Sequence, residues 1–277
     1  MSSDLGYYSI LIGKEIIKKM EAKHSKKSNN KFKKLVLLLL IIIFVCSIGY
    51  MCYYIYNNNK NKKDNTDILS EVKIEPTQVT EEKTEKMLKL EELQKENNEI
   101  IGWLEIEGTN INYPVLQGTD NEFYMKNNYK KEKSKNGSIF LDKSYNWDIP
   151  SSNLLLYGHN NKNGTMFQDL LKYKSENFYN EHTKIKFTTN KEDSTYEIMS
   201  VFYSRVYYKS DKNVFRYYYF VNANNEQEYN DFVNNAKKLS IYDTGVNANY
   251  GDQLLTLSTC EYSQEDGRFV VVAKKIN

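Results

Sequence analysis

Outside one long apolar run the chain carries a single thiol, Cys260, and only three histidines, His24, His159 and His182. A thiolate is a strong nucleophile, but it needs a partner to take its proton and later to protonate a leaving amine. A lone cysteine is more often a small buried hydrophobe, so its neighbours decide. Cys260 closes the segment QLLTLSTC (253–260), Arg268 opens RFVVVAKKI (268–276), and EYSQEDG lies between them. With a symmetric loop these segments form a hairpin in which 260 faces 268, 258 faces 270 and 256 faces 272. Directly opposed residues share a sheet face, with Cβ atoms about 4.5–5.5 Å apart. A guanidinium beside the thiol would favour the thiolate or stabilise a developing oxyanion, and residue types alone do not separate these uses.

The proton partner must be one of three histidines. His24 precedes the apolar run and is expected in the cytoplasm. His182 lies in the polar stretch FYNEHTK and reads as a solvated surface residue. His159 follows the apolar segment NLLLY (153–157) and Gly158, which places it at a strand end entering a loop, where reactive side chains are commonly displayed. On residue type and position alone, the catalytic and the structural reading of His159 are level. Ser258 and Thr259 precede the thiol. Their hydroxyls could bond substrate or position the loop, yet as plain strand residues of good β propensity they need no role at all.

The elements that must hold these residues begin near Gly102, where the chain becomes a series of short apolar segments. These are 103–106, 111–116, 138–142, 153–158, 184–187, 195–203, 253–260 and 268–276, with turn pairs such as Asn136-Gly137, Asn163-Gly164 and Asp266-Gly267 between them. That texture predicts a mostly β domain, an antiparallel barrel or sandwich. Two helices are expected. One covers Glu81 to Asn98, with Met87, Leu90, Leu93 and Ile101 along one stripe. The other covers Glu226 to Ser240, with Tyr229, Phe232, Val233, Ala236 and Leu239 on one face.

Leu35 to Tyr56 contains no charge and is long enough to cross a hydrocarbon core of roughly 30 Å as a helix. Nine lysines lie between residue 14 and this run, against three between it and the first acid, Asp64. The positive-inside rule then places the N-terminus in the cytoplasm and the chain after about residue 57 outside. The run is too long for a typical signal-peptide core, and no small-residue cleavage site follows it. Residues 1–19 read as a short cytoplasmic tail or as a mis-assigned start, with Met20 the alternative initiator. Asn57 to Thr80 reads as a polar spacer. The formal net charge is +2, with 38 Lys and Arg against 36 Asp and Glu, so no basic field argues for nucleic acid. An exported domain with one thiol forms no internal disulfide, and its thiol needs another reason to be there.

The motif TLSTC (256–260) with Arg268 downstream resembles the nucleophile signature of sortases. YGHNNKNGTMF (157–167) resembles the histidine motif of class B sortases, with an Asn where many relatives carry Met, and GSIFLD (137–142) is similar to a segment of that class. The resemblance spans roughly residues 85 to 277, and the helix at 226–240 is similar to the added helix of class B. It implies an eight-stranded β-barrel with Cys260, His159 and Arg268 converging at one end. The implied reaction is cysteine transpeptidation. Cys260 attacks a C-terminal sorting motif of a secreted protein, between Thr and the following Gly or Asn, and forms a thioacyl intermediate. Arg268 holds the substrate and the oxyanion. His159 protonates the leaving amine and then accepts a proton from a peptidoglycan precursor or cross-bridge amine. Class B relatives often act on motifs unlike LPxTG, such as NPQTN-like ones. No metal or organic cofactor is implied. The implied organisation is a cytoplasmic basic segment (1–34), a transmembrane helix (35–56), an extracellular linker (57–80) and a catalytic domain (81–277). Asn160 could hydrogen-bond near His159.

Three other readings compete. L,D-transpeptidases crowd His, Cys and Arg into one short SHGCxR motif, whereas here the three are dispersed. Papain-like and NlpC/P60-like peptidases place Cys before His, the reverse of the order here. A membrane-tethered binding module with no enzymatic activity fits the anchor, spacer and β domain but leaves the thiol, TLST and Arg268 without a purpose.

Overall fold

The computed structural model describes residues 4–66, 84–149 and 151–277. Residues 67–83, which hold most of the expected spacer and the first residues of the helix after it, lie outside the described residues. The chain divides into two compact units, Met1–Asn59 and Lys60–Asn277. The first is carried by helix α1 (Asp4–Thr66). Within it Asn30–Asn57 is long and apolar enough to cross a membrane, and the expected span at 35–56 falls inside that stretch. The helix continues to Thr66, so residues 57–66, expected as spacer, are helical.

The second unit is a closed barrel of eight strands, all eight at the expected segments. They are β1 (Ile100–Glu105), β2 (Asn112–Leu116), β3 (Ile139–Leu141), β4 (Asn153–Tyr157), β5 (Lys184–Thr188), β6 (Asp193–Arg205), β7 (Leu254–Cys260) and β8 (Gly267–Lys275). The order around the barrel is β1-β2-β3-β4-β7-β8-β6-β5, and closure removes the exposed edges of an open sheet. Most neighbours are antiparallel. β2–β3 and β4–β7 are parallel, and such pairs need a long crossover between their strands. The β4–β7 crossover contains β5, β6 and the helix α5 described below. Phe269 to Ala273 in β8 are fully buried, a continuous apolar run rather than an alternating one, because both faces of this part of the sheet are covered.

Helices α2 (Glu85–Glu96), α3 (Phe123–Lys126), α4 (Glu176–Glu181) and α5 (Glu226–Leu239) decorate the barrel. α2 starts where the Thr84 hydroxyl accepts from the Met87 amide, 3.3 Å away, satisfying an orphan donor of the first turn. Its buried Met87, Leu90 and Leu93 match the expected stripe. The next residue in the cluster is Ile100 and not Ile101, because the helix has ended and β1 alternates sides from Ile100 onward. The α5 face is as expected except for Leu239, 44% exposed at the last helical position. α5 packs on β6, where the Ser200 hydroxyl donates to the Ala236 carbonyl at 2.6 Å.

Leu90 is fully buried in one apolar cluster with Trp103, Tyr124 and Phe140. Leu90→Ala is therefore expected to lower unfolding stability by about 2–5 kcal/mol, the cost of a buried leucine cavity. Denaturant titration of the purified protein checks this, and a loss below about 1 kcal/mol would show that α2 is only loosely docked.

Candidate active site

The site is built from strand ends. β7 and β8 pair with Cys260 opposite Arg268, Ser258 opposite Val270 and Thr256 opposite Val272, the register expected from a symmetric loop. On its other side β7 pairs in parallel with β4, in steps from Asn153↔Leu254 to Tyr157↔Ser258. Parallel neighbours end at the same rim. The chain leaving β4 therefore passes beside the end of β7, with His159 two residues beyond Tyr157 and Cys260 two beyond Ser258. The Gly158 amide donates to the Ser258 carbonyl at 3.2 Å. The Thr259 hydroxyl donates to the Gly158 carbonyl at 2.8 Å, and the Asn160 side-chain amide donates to the Cys260 carbonyl at 2.9 Å.

His159, Cys260 and Arg268 line one cleft of about 250 Å³, walled by apolar groups including Met125, Phe140, Val206 and Tyr218. Each of the three is half-buried, which shields the thiol while leaving it reachable. His159 Nε2 lies 2.7 Å from the Met125 carbonyl, at the end of α3. A carbonyl can only accept, so Nε2 carries a proton and Nδ1 remains as the basic nitrogen. Gly137 makes this approach possible. Its φ is +59°, and a Cβ there would lie 2.8 Å from the Met125 and Tyr124 carbonyls and 3.0 Å from the His159 ring. Arg268 Nη1 donates to the carbonyls of Asp266 (3.2 Å) and Gly267 (2.9 Å), which folds the guanidinium back onto its own turn.

Beneath the cleft Tyr217 is 1% exposed and shares a 2.7 Å hydrogen bond with the Ser258 hydroxyl. Burial pushes the Tyr217 phenol well above its ordinary range, although the Ser258 bond and the nearby Arg268 charge pull the other way. Tyr157 donates to Asp142 at 3.0 Å. Burial and then the Asp142 carboxylate raise its pKa strongly. Both phenols stay neutral at any working pH. Asp142 also accepts from the amides of Ser144 (2.9 Å) and Asn121 (2.8 Å), so this buried carboxylate is tied up away from the imidazole.

Next to Cys260, the side chain of Glu261 turns to the opposite face and is buried. Burial raises its pKa, but hydrogen bonds from Lys174 Nζ (2.8 Å) and Ser263 outweigh that and hold the carboxyl below its usual range. The β7–β8 turn is thereby pinned at its first residue.

Ser258 and Thr259 both line the cleft, yet their hydroxyls are engaged inside the protein, with Tyr217 and with the Gly158 carbonyl. Of the roles open to them, holding the rim has a visible partner. His182 is elsewhere, half-buried, with its ring tilted against that of Phe178 at 4.4 Å between centroids, less solvated than expected. His24 is a residue whose side chain lies outside the described residues. Reasoning from sequence missed the Met125 carbonyl, which has no side-chain signature. It also missed Tyr217, one tyrosine among 24, and the Lys174–Glu261 pair, whose partners are far apart in the chain.

The Sortase domain family model matches residues 104–276. Sortase B of Listeria monocytogenes is 34% identical over 189 residues, 68% of this chain and 74% of that protein. Sortase B of Staphylococcus aureus is 35% identical over 188 residues, 67% of this chain and 74% of that protein. The solved Staphylococcus aureus sortase B–substrate complex superimposes with a TM-score of 0.61 at 34% identity, covering 69% of this chain and 86% of that one. The chain therefore belongs to the sortase family, as a cysteine transpeptidase similar to the class B enzymes.

Proposed function

We propose that Cys260 is the nucleophile, His159 its acid and base, and Arg268 the electrostatic partner in transfer of a sorting-motif protein to a cell-wall amine. The observation that carries this reading is the β4–β7–β8 register, which brings His159, from a distant part of the chain, onto one cleft with the hairpin pair Cys260 and Arg268. A relative of similar fold is described as a substrate complex, in line with a peptide binding in such a cleft.

Cys260 gives its proton to His159, and the thiolate sulfur attacks the carbonyl carbon of the motif Thr. The carbonyl π electrons move to oxygen, and the oxyanion is met by the Arg268 guanidinium. Collapse expels the amine of the following Gly or Asn, which takes the proton from His159 and leaves a thioester on Cys260. An incoming peptidoglycan amine then loses a proton to His159 as it attacks the thioester. Collapse returns that proton to the departing thiolate and leaves a new amide bond. The Met125 carbonyl holds Nε2–H, so a single nitrogen, Nδ1, shuttles the proton in both halves. Apolar cleft walls favour an apolar stretch of motif ahead of the Thr.

The apolar part of α1 serves as the membrane anchor. The lysine excess before it keeps residues 1–34 in the cytoplasm and the barrel outside, where sorting-motif proteins and wall precursors meet.

Incubation with a panel of LPxTG-like and NPQTN-like peptides is expected to give an acyl adduct on Cys260 by intact mass with at least one member. Cys260→Ala is expected to give none while remaining folded, and adduct formation by that variant would refute the assignment. Arg268→Lys is expected to lose about tenfold or more in kcat/KM, because an ammonium lacks the planar fork that grips an oxyanion. Near-normal turnover would reduce Arg268 to a generic positive charge. On intact cells a membrane-impermeant thiol reagent is expected to label Cys260, and labelling that requires lysis would reverse the proposed topology.

A further inference from the structure

We infer that Asn160 is a positioning residue whose side-chain amide prolongs the β4–β7 pairing past its last backbone rung and so holds His159 against Cys260. The inference rests on the reading of His159 and Cys260 as a proton-transfer pair.

The last backbone hydrogen bond between the two strands is Gly158 N–H to Ser258 C=O. Beyond it the strands must part, since β7 turns into the 261–266 loop and β4 enters the loop that carries His159. Two side chains replace the missing rungs there. The Thr259 hydroxyl reaches back to the Gly158 carbonyl, and the Asn160 amide reaches across to the Cys260 carbonyl. The residues flanking His159 are thus each tied to the strand that carries the nucleophile.

Asn160 can transmit this constraint because the far side of its loop is closed. Its backbone bridges to Met166, the Phe167 amide donates to the His159 carbonyl at 2.9 Å, and the Gly164 amide donates to the Asn161 carbonyl at 3.0 Å. The Asn160 carbonyl in turn accepts from the Tyr262 hydroxyl at 3.4 Å, so the loop and the β7–β8 turn are stitched from both ends. The contact demands a donor, because the Cys260 carbonyl can only accept. An ionised Asp of the same shape has no N–H to offer and sets oxygen against oxygen. Proton transfer is steeply sensitive to such placement, with misplacement by about 1 Å costing about a hundredfold.

The test is alkylation of Cys260 by iodoacetamide in the full chain in detergent, from about pH 5 to pH 10, where the rate follows the thiolate fraction. Peptide mass mapping separates Cys260 from Cys46 and Cys52. Wild type is compared with His159→Ala, Asn160→Ala and Asn160→Asp, each with its thermal midpoint. Both Asn160 variants are expected to shift the pH–rate profile of Cys260 toward that of His159→Ala while melting within a few degrees of wild type. On a peptide the wild type cleaves, kcat is expected to fall about tenfold or more with KM within about twofold, the pattern of misplaced chemistry and not of lost binding. An Asn160→Ala profile superimposed on wild type would overturn the inference, as would a shift accompanied by a large fall in the melting midpoint of both variants. Coincident wild-type and His159→Ala profiles would overturn the Cys–His pairing itself, and this inference with it.

Discussion

The parallel alignment of β4 with β7 is the constraint on which the site depends. Parallel neighbours finish at the same rim, so the histidine after one strand and the cysteine closing the other line one cleft without any local motif joining them. The antiparallel return of β8 then adds Arg268 from the other side. A parallel pair cannot be made by a short turn, and the long crossover supplies β5, β6 and α5, which close the barrel and cover its outer face. Packing and chemistry are therefore parts of one arrangement. The fully buried Phe269–Ala273 run holds β8 between its covered faces, and that fixed strand sets where the guanidinium emerges.

Around this frame the site keeps its charges few and assigned. Tyr157 and Tyr217 are held neutral by burial. Asp142 is saturated with hydrogen bonds below the cleft, and Glu261 is paired with Lys174 on the opposite face. Among the described residues no carboxylate hydrogen-bonds the imidazole, whose orienting partner is the Met125 backbone carbonyl. A carbonyl orients His159 without contributing a full negative charge, and Arg268 stands opposite Cys260 in the β7–β8 pair with its guanidinium on the carbonyls of its own turn. The engaged hydroxyls of Ser258 and Thr259 belong to the same design. They stabilise the rim that presents Cys260.

Much of this was legible in the chain. All eight strands lie at apolar segments bounded by turn residues, and the 260↔268 register follows from hairpin symmetry, because pairing across a short loop is a local property. Helix α5 was readable from its 3.6-residue periodicity. The closure of the barrel and the parallel β4–β7 pair were not readable from periodicity, since each depends on strands far apart in sequence; strand texture left barrel and sandwich open, and only the resemblance of TLSTC, Arg268 and YGHNNKNG to sortases implies the eight-stranded barrel. Ile101 does not share the α2 stripe, because the helix ends at Glu96 and Ile101 already lies in β1, which begins at Ile100. The start of the expected spacer was read from its polarity, yet residues 57–66 continue α1. Contacts made by backbone atoms, such as the Met125 carbonyl on His159, leave no mark on residue types at all.

The central claim is that His159 and Cys260 share protons across the β4–β7 rim. The most direct measurement is the NMR titration of the His159 imidazole before and after capping Cys260 with methyl methanethiosulfonate, with His24 and His182 as internal references. Capping removes the ionisable thiol, so the His159 midpoint is expected to move while His182 does not. An unchanged His159 titration would contradict the account, because two groups that exchange a proton cannot titrate independently.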